Sequence, residues 1–128
     1  MATQTMTLQN HDETVKDGIV LIDFWAAWCG PCRQFAPVFE RVSEKHQDAV
    51  FAKVDTEDQQ ALAAKYGVSA IPTLVVYRDG IPVFGQAGAV SEPVLGDLLQ
   101  QVRDLDMTEI KAKYAEQLAA HAVEQGTR

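Results

Sequence analysis

The fold of this chain is decided by residues 20–32, whose sequence is Val20-Leu21-Ile22-Asp23-Phe24-Trp25-Ala26-Ala27-Trp28-Cys29-Gly30-Pro31-Cys32. The first six residues are apolar apart from Asp23, which is typical of a central strand covered on both faces. A helix is predicted to follow, because Pro31 suits a first helical turn and the next apolar residues recur at helical spacing. Two cysteines three positions apart share one face of such a turn, so their sulfur atoms can cycle between dithiol and disulfide.

The size and composition of the chain indicate one domain. Its 128 residues, 47% of them apolar, can build one sizeable core. The formal net charge of −7 argues against binding to nucleic acid, since phosphate contacts need clustered Lys and Arg. The first ten residues lack the regions of a signal peptide, and no segment has the roughly 18 apolar residues of a membrane span. We therefore expect a cytoplasmic protein, in which two cysteines indicate catalysis or metal binding rather than a stabilising cross-link.

The remaining elements alternate between strands and helices. An apolar run at 49–54 predicts a strand, and the helix-forming stretch 59–66 ends at Gly67. Two further apolar runs, 73–77 and 81–84, flank an Asp-Gly dipeptide that is a strong signal for an antiparallel hairpin. A last amphipathic helix is predicted over 91–105, with Ser91 at its start. This alternation predicts an α/β fold in which a mixed sheet carries helices on both faces.

Residues 106–128 are predicted to form a separate C-terminal extension. Their Ala, Glu, Gln and Lys content predicts one more helix, with Thr108 as a possible cap. Ile110, Tyr114 and Leu118 recur every fourth residue and make an apolar stripe too thin to form its own core. The stripe must rest on the body of the domain, bind a second copy or a dedicated partner, or remain in solvent.

The predicted elements carry a series of short motifs, namely Asp23-Phe24-Trp25, Trp28-Cys29-Gly30-Pro31-Cys32-Arg33, Ala36-Pro37, Lys53-Val54-Asp55, Lys65-Tyr66-Gly67-Val68, Ile71-Pro72-Thr73 and Gly88-Ala89. In order and spacing they resemble the thioredoxin family over residues 2–105. The resemblance implies a thioredoxin fold for a domain of residues 1–105, with the extension as an additional helix. Three features depart from the family: residues 10–16 leave room for only a stub or loop as first helix, Arg33 stands where Lys is frequent, and Ala27 where an acid is frequent.

The placement of the cysteines assigns their roles. Free N–H groups and the positive end of the helix dipole favour the thiolate of Cys29, the predicted nucleophile, and Cys32 lies one turn further in as the resolving cysteine. Asp23 is alone in an apolar strand, so burial should raise its pKa and suit it to accept and return a proton. The plainer alternative is a buried carboxylate satisfied by hydrogen bonds. By resemblance, Lys53 is the charge partner of Asp23.

The resemblance also implies a substrate-binding rim around Cys29. Pro72 follows a cis peptide bond in the family, and the backbone of Ile71 then faces the cysteines, where it can bind an extended substrate segment. The expected rim consists of Trp28, Gly30, Pro31, Ile71, Pro72, Gly88 and Ala89. No histidine lies between the cysteines, which favours work as a reductant rather than as an oxidant.

Taken together, the resemblance implies a monomeric protein-disulfide reductase and electron carrier that supports cell redox homeostasis. It would hold no cofactor or metal and would receive electrons from NADPH through a flavin thioredoxin reductase; its other partners would be proteins with disulfides. Zinc binding is the first alternative, but its second half-site is missing and the three histidines, His11, His46 and His121, are scattered. A non-catalytic scaffold that binds one dedicated partner is the second alternative.

Overall fold

The computed structural model describes residues 2–126, and side chains as far as residue 122. Ten elements follow in chain order: β1 (Thr3–Thr5), α1 (His11–Val15), β2 (Ile19–Trp25), α2 (Gly30–Lys45), β3 (Ala49–Asp55), α3 (Gln60–Lys65), β4 (Thr73–Arg78), β5 (Ile81–Ala87), α4 (Glu92–Arg103) and α5 (Met107–Gly126). The last two residues of the predicted extension, Thr127 and Arg128, lie outside the described residues. Every strand and helix predicted from the sequence is present, and the predicted first helix is a stub of five residues.

The five strands form one mixed sheet in the order β1-β3-β2-β4-β5. β3 pairs in parallel with β1 and β2, whereas β4 pairs antiparallel with β2 and β5. This is the predicted thioredoxin fold. β1 was not predicted, because its sequence Thr-Gln-Thr has no apolar run; pairing of Thr3–Thr5 with residues 51–53 is what makes it a strand.

The sheet separates two apolar clusters, and β2 contributes to both. Ile19 and Leu21 pack against α2 and α4, whereas Val20, Ile22 and Phe24 face the side of α1 and α3. Successive side chains of a strand point to opposite faces, so a strand covered on both sides must be apolar throughout. Asp23 shares the face of Leu21 and therefore lies under α2, the helix that begins at the cysteine pair.

The β4–β5 turn has the backbone that the Asp-Gly dipeptide predicts. Asp79 and Gly80 both have positive φ, at 52° and 82°, as a two-residue hairpin turn that matches the strand twist requires. The register places this turn at the start of β2, because Arg78 lies opposite Ile19 and Thr73 opposite Phe24. The turn and the cysteine pair are thus at opposite ends of the sheet.

Helix α5 rests partly on the domain. Ile110 and Tyr114 are half-buried and line a cleft with Pro82 of β5, whereas Leu118 is 52% exposed. The first two residues of the predicted stripe therefore lie on the body, at the hairpin end of the sheet. The prediction of Thr108 as cap was wrong: the carboxylate of Asp106 accepts hydrogen bonds from the backbone N–H groups of residues 108 and 109. A carboxylate placed before the helix reaches free N–H groups that a residue already inside the first turn cannot.

Candidate active site

The two cysteines form a disulfide at the start of α2, with their Cα atoms 5.2 Å apart. Cys29 is the residue before the helix, and its Sγ accepts the backbone N–H of Cys32 at 3.2 Å. Only 5% of Cys29 and 2% of Cys32 is exposed, so Cys29 is the more accessible of the two, in the order that the sequence predicts. In the reduced protein the same N–H would stabilise the negative charge of the Cys29 thiolate.

The loop before β4 faces the disulfide. The Ile71–Pro72 peptide bond is cis, and the carbonyl oxygen of Ile71 lies 3.6 Å from Sγ of Cys29. The backbone N–H of Gly88, which follows β5, donates to the carbonyl oxygen of Pro72 at 2.7 Å. The start of α2, the loop before β4 and the end of β5 are far apart in the sequence but are linked here through these contacts. Residues 71, 72 and 88 of the predicted rim belong to these three segments.

Trp28 dominates the exposed part of the rim. It is 67% exposed, and its indole N–H donates to the carboxylate of Glu57 at 2.6 Å. Between Trp28 and Ile71 lies a cleft of about 400 Å³, whose other lining residues come from the end of β3 and the region of α3: Thr56, Ala63, Val68, Ser69 and Ala70. Glu57 was not among the residues predicted from the sequence. Glu57 could have been found from the parallel pairing of β2 with β3, because this pairing places the residues after Asp55 beside those after Trp25.

The other predicted rim residues differ in exposure. Pro31, Gly88 and Ala89 are exposed, and Gly30 is half-buried at the start of α2. Gly88 has φ +101°, a backbone conformation that L side chains rarely adopt, so the turn that brings its N–H to the Pro72 carbonyl favours a glycine.

Asp23 is buried without a hydrogen-bond partner. It is 1% exposed, and neither carboxylate oxygen has a partner among the described residues. Burial raises its pKa to about 7, and the charge of Lys53, its neighbour in the pairing of β2 with β3, opposes that rise only in part. No protein group among the described residues therefore satisfies Asp23, contrary to the alternative of a carboxylate held by hydrogen bonds from the protein. A carboxyl with this pKa exchanges its proton near neutral pH.

The two departures from the family at positions 27 and 33 contact each other. The guanidinium of Arg33, in the first turn of α2, donates to the carbonyl oxygen of Ala27 at 2.9 Å. With no acidic side chain at position 27, the arginine binds the backbone there instead. Both residues stand out in the sequence, but their contact was not predicted, because a side chain of that length has many alternative acceptors.

A second polar cluster lies near the other end of the sheet. His11 is buried, and its ring nitrogens contact the carboxylate of Asp12 at 2.7 Å and the hydroxyl of Tyr66. The Tyr66 hydroxyl in turn lies 2.7 Å from that of Tyr77, and burial raises the pKa of both phenols. His11 is thus a satisfied buried histidine, as expected of one that stands alone in the sequence. Across residues 2–122, no three His, Cys, Asp or Glu side chains are placed to hold a metal ion.

A family model described as Thioredoxin matches residues 2–103. The chain belongs to the thioredoxin family. A relative from Streptomyces coelicolor, provisionally named thioredoxin 2, is 51% identical over 119 residues, which are 92% of this chain and 89% of the relative. The thioredoxin of Staphylococcus haemolyticus is 39% identical over 102 residues, 79% of this chain and 98% of its own. This thioredoxin is accordingly a protein-disulfide oxidoreductase, and Cys29 and Cys32 provide its cysteine pair.

Solved thioredoxin structures have the same fold. A mutant thioredoxin from Halobacterium salinarum superposes with a TM-score of 0.74 at 38% identity, covering 80% of this chain and 91% of that one. A Malassezia sympodialis thioredoxin gives a TM-score of 0.68 at 32% identity, covering 78% and 90%. No helix in the described part of this thioredoxin is long and apolar enough to cross a membrane.

Helix α5 lies beyond the residues that the family model matches. The alignment with the Streptomyces relative is too long to end at Leu105, so it includes part of α5. At least part of the extension is therefore shared with that relative. The division into 1–105 and 106–128 stays a prediction.

Proposed function

We propose that Cys29 and Cys32 of this thioredoxin reduce disulfide bonds in other cytoplasmic proteins, with Cys29 as nucleophile and Cys32 as resolving residue. The observation that carries the proposal is the position of Cys29, which lies at the start of α2 and 3.6 Å from the Ile71 carbonyl of the cis-proline loop. The helix start favours a thiolate, and the loop provides backbone groups for a substrate beside it.

In the first step the thiolate of Cys29 attacks one sulfur of a substrate disulfide. A bond forms between that sulfur and Sγ of Cys29, and the other substrate sulfur leaves with the electron pair and takes up a proton. In the second step the thiolate of Cys32 attacks Sγ of Cys29. The Cys29–Cys32 disulfide forms, and the second substrate thiolate leaves. Two electrons pass from the cysteine pair to the substrate.

The second step needs a group that removes the proton of Cys32, and we assign this role to Asp23. Asp23 lies on the sheet face covered by α2, and its pKa of about 7 lets it accept a proton at the pH of the cytoplasm. Among the described residues no protein group donates a hydrogen bond to either of its oxygen atoms, which supports their binding a proton directly or through water. Lys53 lowers the pKa of Asp23 and keeps it within the useful range.

We assign substrate binding to a small set of residues in the rim. The loop of Ile71 and Pro72 would bind an extended segment through its backbone, while Trp28 and Pro31 offer exposed apolar surface on either side of Cys29. On the opposite side of the rim, exposed Gly88 and Ala89 have small side chains that leave room for a substrate backbone to approach. Such a surface suits substrates that differ in sequence, because the backbone provides the common contacts.

We also propose the source of the electrons. The oxidised protein would be reduced by a flavin thioredoxin reductase that uses NADPH, and the chain itself would hold no cofactor. The Gly30-Pro31 pair between the cysteines, with no histidine, supports a reducing role in electron transport.

Insulin reduction with NADPH and a thioredoxin reductase tests the proposal. The protein should precipitate insulin chains, Cys29→Ser should abolish the reaction, and Cys32→Ser should accumulate a mixed disulfide with the substrate. Asp23→Asn should still form the mixed disulfide but resolve it at least about tenfold more slowly in single turnover.

A protein that fails with insulin but oxidises a reduced, unfolded protein would overturn the reducing direction. Full function in cells of the double variant Cys29→Ser and Cys32→Ser would favour the scaffold alternative.

A further inference from the structure

Strand β5 is an edge of the sheet, and its two halves differ. Its hydrogen-bonded neighbour among residues 2–126 is β4 on one side only, so backbone groups on the other side are unpaired. Near the hairpin turn this edge is protected, because Pro82 has no N–H to offer and α5 lines the cleft beside it. The end of the strand, Gly85–Ala87, is exposed.

A cleft of about 280 Å³ adjoins this open half. Phe84 and Gln86, alternate residues on one face of β5, line it from the sheet, and Val90, Val94 and Leu98 provide apolar surface from the segment after β5 and from α4. Val94 is 52% exposed, which is high for an apolar residue on a helix. Asp97 places a carboxylate at the cleft, and the chain as a whole is acidic.

The open edge leads directly to the reactive cysteine. β5 ends at Ala87, and the next residue, Gly88, donates its N–H to Pro72 in the loop that faces Cys29. A polypeptide held at that loop can therefore continue along β5. By contrast, the protected half lies at the hairpin, the end of the sheet opposite the cysteines.

We propose that the open half of β5 and its cleft form a second binding site for the substrate protein, which holds an extended segment near the disulfide as an added strand. The segment would place apolar side chains at alternate positions against Phe84 and Val94, and a Lys or Arg near Asp97. This inference rests on the proposed reduction of protein disulfides by Cys29. It gives the substrate class as proteins with an extended, apolar and basic segment beside the reducible bond.

The test compares three disulfide probes. The first is 5,5′-dithiobis(2-nitrobenzoate), which is too small to reach β5. The second is a peptide disulfide extended by a segment of alternating valines with one lysine, and the third is the same peptide with N-methyl groups that prevent strand pairing. Peptides with spacers of different lengths between disulfide and segment locate the optimum. The extended peptide should have a kcat/KM about tenfold above that of the N-methylated peptide, as burial of one or two apolar side chains provides.

Two variants should remove this advantage, and a third should keep it. Val94→Lys and Asp97→Lys alter the cleft, whereas Leu118→Lys changes a residue of equal exposure, 52%, on α5. Neither cleft variant should change the rate with the small disulfide. Equal loss in Leu118→Lys, no loss in Val94→Lys, or an undiminished rate with the N-methylated peptide would overturn the proposal.

Sedimentation of the free protein tests whether a second copy of the chain, and not a substrate, binds in the cleft. A dimer that becomes a monomer in Val94→Lys would show that a second copy fills the cleft, and would overturn the assignment to substrate. A protein that reduces none of the three probes would instead overturn the proposed function itself, whereas reduction of the small disulfide alone would leave that function intact and remove this second site.

Discussion

Asp23 and Lys53 lie opposite each other in the parallel pairing of β2 with β3, yet the ammonium group of Lys53 makes no hydrogen bond or ion pair with either carboxylate oxygen of Asp23. The ammonium group of Lys53 instead lies 5.0 Å from the centroid of the Trp25 ring, where the π electrons attract it. The lysine therefore acts on the carboxyl through its field and leaves the oxygen atoms free. An ion pair in direct contact would favour the ionised form and leave a weaker proton acceptor.

The burial of Asp23 predicts a pH-dependent stability. A carboxyl whose pKa rises from 3.8 to about 7 costs on the order of 4 kcal/mol once it is ionised in the folded protein. Its folded pKa is the higher one, so the contribution of Asp23 to stability is greatest below its unfolded pKa and declines as the pH rises from about 4 to about 7. Asp23→Asn should abolish this decline and be more stable at pH 8.

Urea unfolding of both proteins at several pH values measures that difference. The free energies of unfolding should diverge between pH 4 and 7 and run parallel above pH 8. A constant difference across the whole range would contradict the assignment of the effect to the ionisation of Asp23.

Replacement of Lys53 should move the pKa of Asp23 upward. Lys53→Met removes the cation that opposes the effect of burial, so the pH dependence of mixed-disulfide resolution should shift to higher pH. Lys45→Met is the control, because Lys45 binds Glu92 on the surface and does not affect Asp23. Stopped-flow resolution rates between pH 5 and 9 provide the test, and an equal shift in both variants would exclude a specific role for Lys53.

The buried cluster of His11, Tyr66 and Tyr77 should depend most on its central member. Tyr66→Phe leaves a ring nitrogen of buried His11 without its partner and should cost about 1–3 kcal/mol. Tyr77→Phe removes only the terminal hydroxyl, and Tyr66 keeps its bond to His11. Denaturant midpoints compare the two variants. Equal losses of stability in the two variants would show that the central hydroxyl of Tyr66 contributes no more than the terminal hydroxyl of Tyr77.

The contact of α5 with the hairpin should stabilise the domain without affecting catalysis. Tyr114→Ala removes a half-buried ring and should lower the free energy of unfolding by about 1–3 kcal/mol, whereas Leu118→Ala should stay within about 0.5 kcal/mol. Insulin reduction should be unchanged in both, because the hairpin lies at the end of the sheet away from the cysteines. A loss of activity in Tyr114→Ala with its stability unchanged would contradict this separation.

Much of the fold was predictable because local patterns and packing agree. The run of residues 20–25 must be covered on both faces, and the Asp-Gly turn can connect only closely spaced antiparallel strands. The cysteine spacing predicted a reactive pair, and the single carboxylate in an apolar strand predicted a raised pKa at Asp23. The short polar strand β1 escaped prediction, since its structure depends on pairing with a distant partner.

The elements, the cysteine pair and the isolation of Asp23 could be inferred before folding was considered, because each follows from neighbouring residues. The folded chain was needed to show which distant groups meet: Glu57 with Trp28, Arg33 with the backbone of Ala27, and the open end of β5 with the loop of Pro72. Such contacts depend on strand order and on the direction of long side chains. Hydrophobic periodicity and helix or strand propensity predict neither strand order nor the direction of a side chain. Both depend on a residue's neighbours along the chain and not on its neighbours across the sheet.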